Sequence, residues 1–329
     1  MAEWPKSEWL VEEGIGEDRA IRLDSGAIAA ARIEWPGRLA AGQVEDAVLI
    51  SRSAGSPRGT LRFASGEEAL VSGLAASARE GAPQRAEITR AALAEIGRLK
   101  RAHARPTTAP PRPAPSLAER LRAEGHTLHL VREFPAGAWE ELCGEAFAGE
   151  VAFAGGSLTI SPTPAMTLID VDGGLPPRAL ALTAIPALAA AIRRFDLAGS
   201  IGADFPTLAD KADRRAIDSA LAVALASWPH ERTAMNGFGF VQLVARLERP
   251  SLVHRIASDR PSAAARLLLR QAERVAEPGA LLIGLHPAVR AAIRPEWEAQ
   301  LARRTGRELR WRLDAALALT GGFAQAVPL

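Results

Sequence analysis

Two stretches of the sequence run apolar residues into acids: Met166–Asp172 (MTLIDVD), with Asp170 and Asp172, and Leu197–Phe205 (LAGSIGADF), with Asp204. If they are neighbouring parallel strands joined by the helix between them, Asp170 and Asp204 emerge at one sheet edge, where open α/β sheets bind ligands. Two carboxylates held close together repel each other, and a divalent cation is the usual remedy. Magnesium takes one or two protein carboxylates and leaves the rest of its shell to water and phosphate oxygens, which suits hydrolysis of a phosphodiester. An aspartate at a strand end is also a common N-cap of the next helix, so a purely structural reading stands beside the chemical one.

The elements that would position these acids follow from punctuation. Residues 19–35 read as a β-hairpin around Asp24-Ser25-Gly26, and 42–89 as short strands of a small barrel or sandwich. The proline-rich run Pro106–Pro115 is a natural boundary. After it come a short helix from Ser116 to Gly125, and two strands joined at Ser161–Pro164. A helix over Pro177–Phe195, which Pro186 is expected to kink, precedes the strand ending at Asp204. A second helix and "FGFVQLVAR", a strand or strand-to-helix turn, complete an alternation that implies a mainly parallel sheet.

The chain has 329 residues and is 48% hydrophobic, enough for two or three domains. Its start has neither a long apolar run nor a basic lead, and the expected location is cytoplasmic, with no membrane partner. One cysteine, Cys143, excludes an intrachain disulfide framework and a multi-thiolate zinc site; it reads as a packing residue. The net charge of +2 is unevenly spread: Glu3, Glu8, Glu12, Glu13, Glu17 and Asp18 crowd the start, and Arg98, Lys100, Arg101, Arg105 and Arg112 follow later. That basic run suits phosphate backbones or is simply a solvated linker. With no tyrosine in the chain, a broad aromatic base-stacking platform has little support. The six histidines show no ligand spacing; His126 and His129 would point to opposite sides of a strand. The tryptophans, among them Trp35, Trp228 and Trp311, read as packing anchors.

"GGSLTISPTPAMTLIDVDGG", "RRFDLAGSIGADF" and "NGFGFVQLVARLERPSL" together resemble the catalytic region of the ribonuclease E/G family. The resemblance implies that Asp170 and Asp204 are catalytic and hold Mg2+, with Mn2+ as a possible substitute. Asp172 falls where the family has an asparagine that orients the first acid, and would either bind the metal or accept a hydrogen bond. Lys100, Arg101, Arg105 and Phe238 would contact single-stranded RNA. The implied fold is α/β with several subdomains. Residues 1–36 would be the hairpin segment of a ribonuclease-H-like subdomain, and 37–107 an inserted OB-type β-barrel, with "AEITRAALAEIGRLKRA" as its last strand and basic loop. Residues 108–155 would be linker and the remainder of the first subdomain, 156–252 a mixed α/β catalytic domain of deoxyribonuclease-I-like type, and 253–329 a small C-terminal αβ domain containing the strand–helix unit "LLIGLHPAVRAAI".

The sequence departs from the family in four places. The chain passes from "RLKRAHARP" to "PRPAPSL" almost at once, too short a stretch for the extra subdomain that reads the RNA 5′ end, so cleavage is expected to ignore that end. The cysteine pair of a zinc-linked dimer is absent after Leu252, leaving no zinc and an open oligomeric state. Thr207 replaces a further aspartate, and Gln242, Val244 and Ala245 replace basic and hydroxyl residues. The expected activity is metal-dependent endoribonucleolysis of single-stranded RNA. The alternatives are an RNA-binding relative with lost or weak catalysis and, third, a phosphodiesterase acting on DNA or a small nucleotide.

Overall fold

The computed structural model describes residues 8–95, 98–135 and 137–329. Glu3 of the acidic N-terminal segment, Ile96 and Gly97 of the basic stretch, and the side chain of Arg98 lie outside the described residues. The first part of the chain forms β1 (Trp9–Glu13), β2 (Asp18–Asp24), β3 (Ala27–Glu34), β4 (Val44–Arg52), β5 (Arg58–Phe63), β6 (Glu68–Ser72), β7 (Pro83–Arg90), β8 (Leu93–Glu95), β9 (Arg98–Lys100) and β10 (Ala102–Pro106). The middle forms α1 (Leu117–Ala123), β11 (Leu128–Leu130), α2 (Ala138–Ala148), β12 (Glu150–Phe153), β13 (Gly156–Pro162), β14 (Thr167–Gly173), α3 (Pro177–Arg194), β15 (Gly199–Asp204), α4 (Lys211–Ala224), β16 (Glu231–Arg232) and β17 (Phe240–Ala245). The last part forms α5 (Leu252–Ser258), α6 (Arg260–Glu273), β18 (Ala280–Leu285), α7 (Pro287–Ala292), α8 (Pro295–Thr305), β19 (Leu309–Leu313) and β20 (Phe323–Val327).

β2 and β3 are the expected hairpin. Ser25 and Gly26 sit at φ 52° and 84°, as a two-residue turn between right-twisted strands requires. With β1 and β11 they make a four-stranded sheet ordered β11-β1-β2-β3. Helix α1 starts at Ser116 through a capping box with Glu119 and covers one face with Leu117, Ala118 and Leu121. At the start of β2, burial, with Glu13 and Glu17 adding to it, pushes the Asp18 carboxyl up to about 6. The folded state therefore holds this proton more tightly than the unfolded chain. Its stabilising contribution is complete below pH about 4 and is lost as pH rises through about 6. Asp18→Asn is expected to raise stability at pH 7 by about 1–2 kcal/mol, after discounting for solvent screening, and to leave it nearly unchanged at pH 4. Urea unfolding at the two pH values checks this.

The next stretch closes into a five-stranded barrel, β10-β6-β5-β4-β7, around its own core of Leu49, Leu61, Phe63, Val71 and Ile88. Its closing strand is β10, within the expected bounds 37–107 but past the stretch read as last strand and basic loop, and β8 and β9 pair as a separate hairpin between β7 and β10. The inward residues of β10 are Ala102 and Ala104, too small to mark the strand against its basic neighbours.

The third sheet has six strands, ordered β12-β13-β14-β15-β17-β16, and corrects the expectation of a mainly parallel arrangement. Only β14 and β15 run parallel; the other four pairings are antiparallel. β12, β13 and β14 are joined by short turns, which permit antiparallel pairing alone, whereas a helix-sized crossover separates β14 from β15. That crossover is α3, continuous from Pro177 to Arg194 with Pro186 inside it. Leu180, Ala181, Ala184, Ile185 and Leu188 form its buried stripe, packed between β3 and the six-stranded sheet. "FGFVQLVAR" supplies β17, a strand. A three-stranded sheet, β19-β18-β20, packs with α6, α7 and α8 at the C-terminus.

Cys143 is a buried residue of α2, and burial pushes its thiol well above the ordinary range, in keeping with a packing role. Among the described residues no helix is long and apolar enough to cross a membrane.

Candidate functional site

α3 covers one face of the six-stranded sheet, so the alternate residues of β13, β14, β15 and β17 face outward. The register of β14 against β15 pairs Leu168 with Gly202 and Asp170 with Asp204. Neighbouring strands lie roughly 5 Å apart, and directly opposed residues share a face. Both carboxylates are exposed on that face, and neither has a hydrogen-bond or ion-pair partner among the described residues. The crossover brings the two acids together as expected, with one difference: Asp204 ends β15, but Asp170 lies in the middle of β14. Neither is a helix N-cap, since Pro176 precedes α3 and Asp210 caps α4.

Asp172 lies two residues further along β14, on the same face, and its Oδ1 accepts a hydrogen bond from the Gly173 N–H at 2.8 Å. It makes no hydrogen bond to Asp170. Among the described residues no three His, Cys, Asp or Glu side chains gather as a metal-binding group. Cross-strand partners fill the rest of the face with Ser157, Thr159 and Ser161 from β13 and Phe240, Gln242 and Val244 from β17. Glu150 and Glu231 occupy the same face on the outer strands. The outward positions of these strands thus carry five acids and no base. Ser200 Oγ accepts from Gln242 Nε2 at 3.3 Å. Gly202 is a spacing requirement, since a Cβ there would lie 2.5 Å from the Phe240 ring and 3.0 Å from Met166 Sδ.

The loop entering β17 is stitched to the end of β15. Phe205 N–H donates to Gly239 O at 3.2 Å, and Thr207 Oγ1 to Phe238 O at 3.4 Å. Asn236 Oδ1 accepts from both Phe238 N–H (2.9 Å) and Phe240 N–H (3.0 Å), bracing the turn from inside. Gly239 sits at φ 92°, and a Cβ there would lie 2.2 Å from Phe205 O, so no other residue fits. This braced turn presents Phe238, 80% exposed, two residues before Phe240, the cross-strand partner of Asp204. Asn236 as the brace was not visible in the sequence, where "NGFGF" reads only as glycine-rich.

The three basic residues expected to act together are dispersed. Lys100 ends β9 and is half-buried, lining with Met166, Thr167, Ser200 and His254 a cavity of about 30 Å³ at the amino end of β14 and β15. Arg101 pairs with Glu68 at 3.3 Å. Arg105 grips Glu87 through Nε (3.0 Å) and Nη2 (2.7 Å), and Arg112 reaches the same carboxylate at 3.2 Å. These arginines lie on the barrel with acids already beside them because β10 alternates inward alanines with outward polar residues, a pattern that a charge count cannot convey. His126 and His129 are likewise locally engaged, the first against the Trp9 ring and the second with Glu8.

No protein-family model matches the chain, and no characterised protein matches it.

Proposed function

We propose that the chain is a metal-dependent endoribonuclease of reduced ribonuclease E/G type, hydrolysing single-stranded RNA internally. One observation carries this reading: Asp170 and Asp204 oppose each other on adjacent parallel strands, exposed on one face and without a partner among the described residues. Uncompensated carboxylates on strands roughly 5 Å apart suit a hard divalent cation, and Mg2+ asks for no more than one or two of them. The donor set fits. Asp170 and Asp204 would hold the ion, and Asp172, already accepting from Gly173, would stand behind them. Bound there, the ion would supply orientation of the attacking water and stabilisation of charge developing on the phosphate.

The chain's own residues supply the remaining functions. An outward face with five acids and no base repels a phosphate backbone, so RNA approach depends on neutralisation of the acid pair. Phe238 offers an exposed ring on which a base beside the cleaved bond can stack. The barrel, read as an OB-type RNA-binding module, connects through the β8–β9 hairpin to Lys100, which stands beside Ser200, four residues of strand or roughly 13 Å from Asp204. A strand held at Lys100 and Phe238 would cross the acid pair. The same lack of bases on the open face favours a second reading, an RNA-binding relative with weak cleavage.

Purified protein with a single-stranded RNA, in Mg2+, in Mn2+ or in excess chelator, separates the two. The expected result is internal cleavage in either metal and none in chelator; RNA retention without cleavage would leave the binding reading. β10 leads to α1 in ten residues, several of them proline and one, Arg112, bridged to Val44. Rates within a fewfold for 5′-monophosphate, triphosphate and hydroxyl forms of one RNA are therefore expected. A tenfold monophosphate preference, about 1.4 kcal/mol, would overturn this part of the proposal.

A further inference from the structure

A cavity of about 110 Å³ lies where the root of the barrel meets the N-terminal sheet and the stretch after β17. Four arginines line it: Arg38 from the β3–β4 connector, Arg120 from α1, Arg249, and Arg255 from α5. Three carboxylates also line it, Glu34, Glu124 and Glu248, but they are committed. Glu34 pairs with Arg120, and Glu124 with Arg32 at 2.6 Å. Arg249 is held by Asp196 at 2.6 Å and by Glu248 at 3.7 Å. Among the described residues no carboxylate pairs with Arg38 or Arg255.

Arg255 is the more telling of the two. Its guanidinium lies 5.6 Å from the centre of the Trp35 ring, and its Nε is buried with no hydrogen-bond partner. Leaving a buried donor unmet is destabilising, so a fold that keeps one beside a cavity gains by admitting an acceptor. Burial pulls this guanidinium down to about 10, with Arg249 and Arg38 adding to the pull against Glu17 and Asp196. Burial does the same to Arg120, again to about 10, with Arg249 and Arg255 adding to it. An anion in the cavity would relieve both groups.

We propose that this cavity is a binding site for a tetrahedral phosphate group, gripped by Arg255 from within and Arg38 at the rim. Guanidinium forks arriving from two different elements match the divergent oxygens of a phosphate. The site is separate from Asp170 and Asp204, and the proposal does not rest on cleavage. Pro250 lines both this cavity and the one beside Lys100, so the phosphate bound here is either a free one or one carried by a nucleic-acid strand passing the root of the barrel.

Calorimetric titration of the full chain with orthophosphate at constant ionic strength tests the site. Chloride is the control, and Arg38→Ala, Arg255→Met and Asp170→Asn are the variants. Saturable phosphate binding is expected, weakened at least tenfold by Arg38→Ala and by Arg255→Met and kept by Asp170→Asn. Arg38 is exposed, so its variant decides the matter even if Arg255→Met fails to fold. Binding that is absent in the wild type, or unchanged in Arg38→Ala, overturns the proposal. A second titration compares a thymidine oligonucleotide bearing a 5′ phosphate with its 5′-hydroxyl form. Loss of oligonucleotide affinity in Arg38→Ala supports the site with a strand phosphate as ligand, and affinity lost for orthophosphate alone supports it with the free anion as ligand.

Discussion

Asp170→Asn and Asp204→Asn are each expected to lower RNA cleavage by at least about a thousandfold, roughly 4 kcal/mol of barrier height, with the fold intact. Each substitution removes one anionic ligand from a pair that has no other protein counterpart, so half the attraction for a divalent cation disappears while the side-chain shape is kept. Both side chains are exposed and make no hydrogen bond or ion pair among the described residues, so stability should move by no more than about 0.5 kcal/mol. If anything it should rise, since each change ends a like-charge opposition across the β14–β15 ladder. Asp172→Asn provides the contrast. The amide oxygen of asparagine can accept from the Gly173 N–H as Asp172 Oδ1 does, and activity within a fewfold of wild type is expected. Single-turnover cleavage of one labelled RNA, with Mg2+ binding by calorimetry on the same samples, separates loss of the ion from loss of chemistry. Cleavage at wild-type rate in either of the first two variants would end the assignment.

The pairing of Asp170 with Asp204 was legible because it depends on local signals. Two apolar runs each carry an acid, and a helix-forming stretch of the right length lies between them, which is the pattern of a parallel crossover. The hairpin at Ser25-Gly26 and the cap at Ser116 were legible for the same reason: each is decided by residues within a few positions of one another. The direction of the remaining strands was harder to read, since pairing in a sheet is set by partners distant in sequence. β17 returns beside β15 only after α4 and β16, and its antiparallel register has no local mark. The closing barrel strand is hard to read because its inward alanines at 102 and 104 carry little apolar signal. The arginine cavity could not have been found at all from spacing. Arg38, Arg120, Arg249 and Arg255 come from four separated stretches, and a charge count treats each as one more surface cation.

Removing the carboxylate of Glu12 is expected to destabilise the protein by about 3–5 kcal/mol. In the sequence Glu12 was one of several acids crowding the first turns; in the fold its side chain is only 5% exposed and lies between Arg19 and Arg270, each 1% exposed. Its oxygens take Arg19 Nη2 at 3.2 Å, Arg270 Nε at 3.0 Å and Arg274 Nη2 at 3.1 Å, tying β1 to β2 and to α6. Glu17, 3.1 Å from Arg19, and Glu140, beside Arg270, each serve one of these cations, but among the described residues Glu12 alone serves both. Glu12→Ala would leave two buried guanidinia short of countercharge, and the lost attraction is large because little water can reach them. Glu12→Gln keeps hydrogen-bonding shape and removes only the charge, so it should fall between wild type and alanine. Replacing Glu12, Glu17, Arg19 and Arg270 together by leucine or methionine, which leaves Glu140 to Arg274, should recover most of the loss, because the cost lies in the stranded charges rather than in the absence of an ion pair. Urea unfolding of the four proteins orders them. A cost below about 1 kcal/mol for Glu12→Ala would place the network in the range of solvent-exposed pairs and contradict its burial.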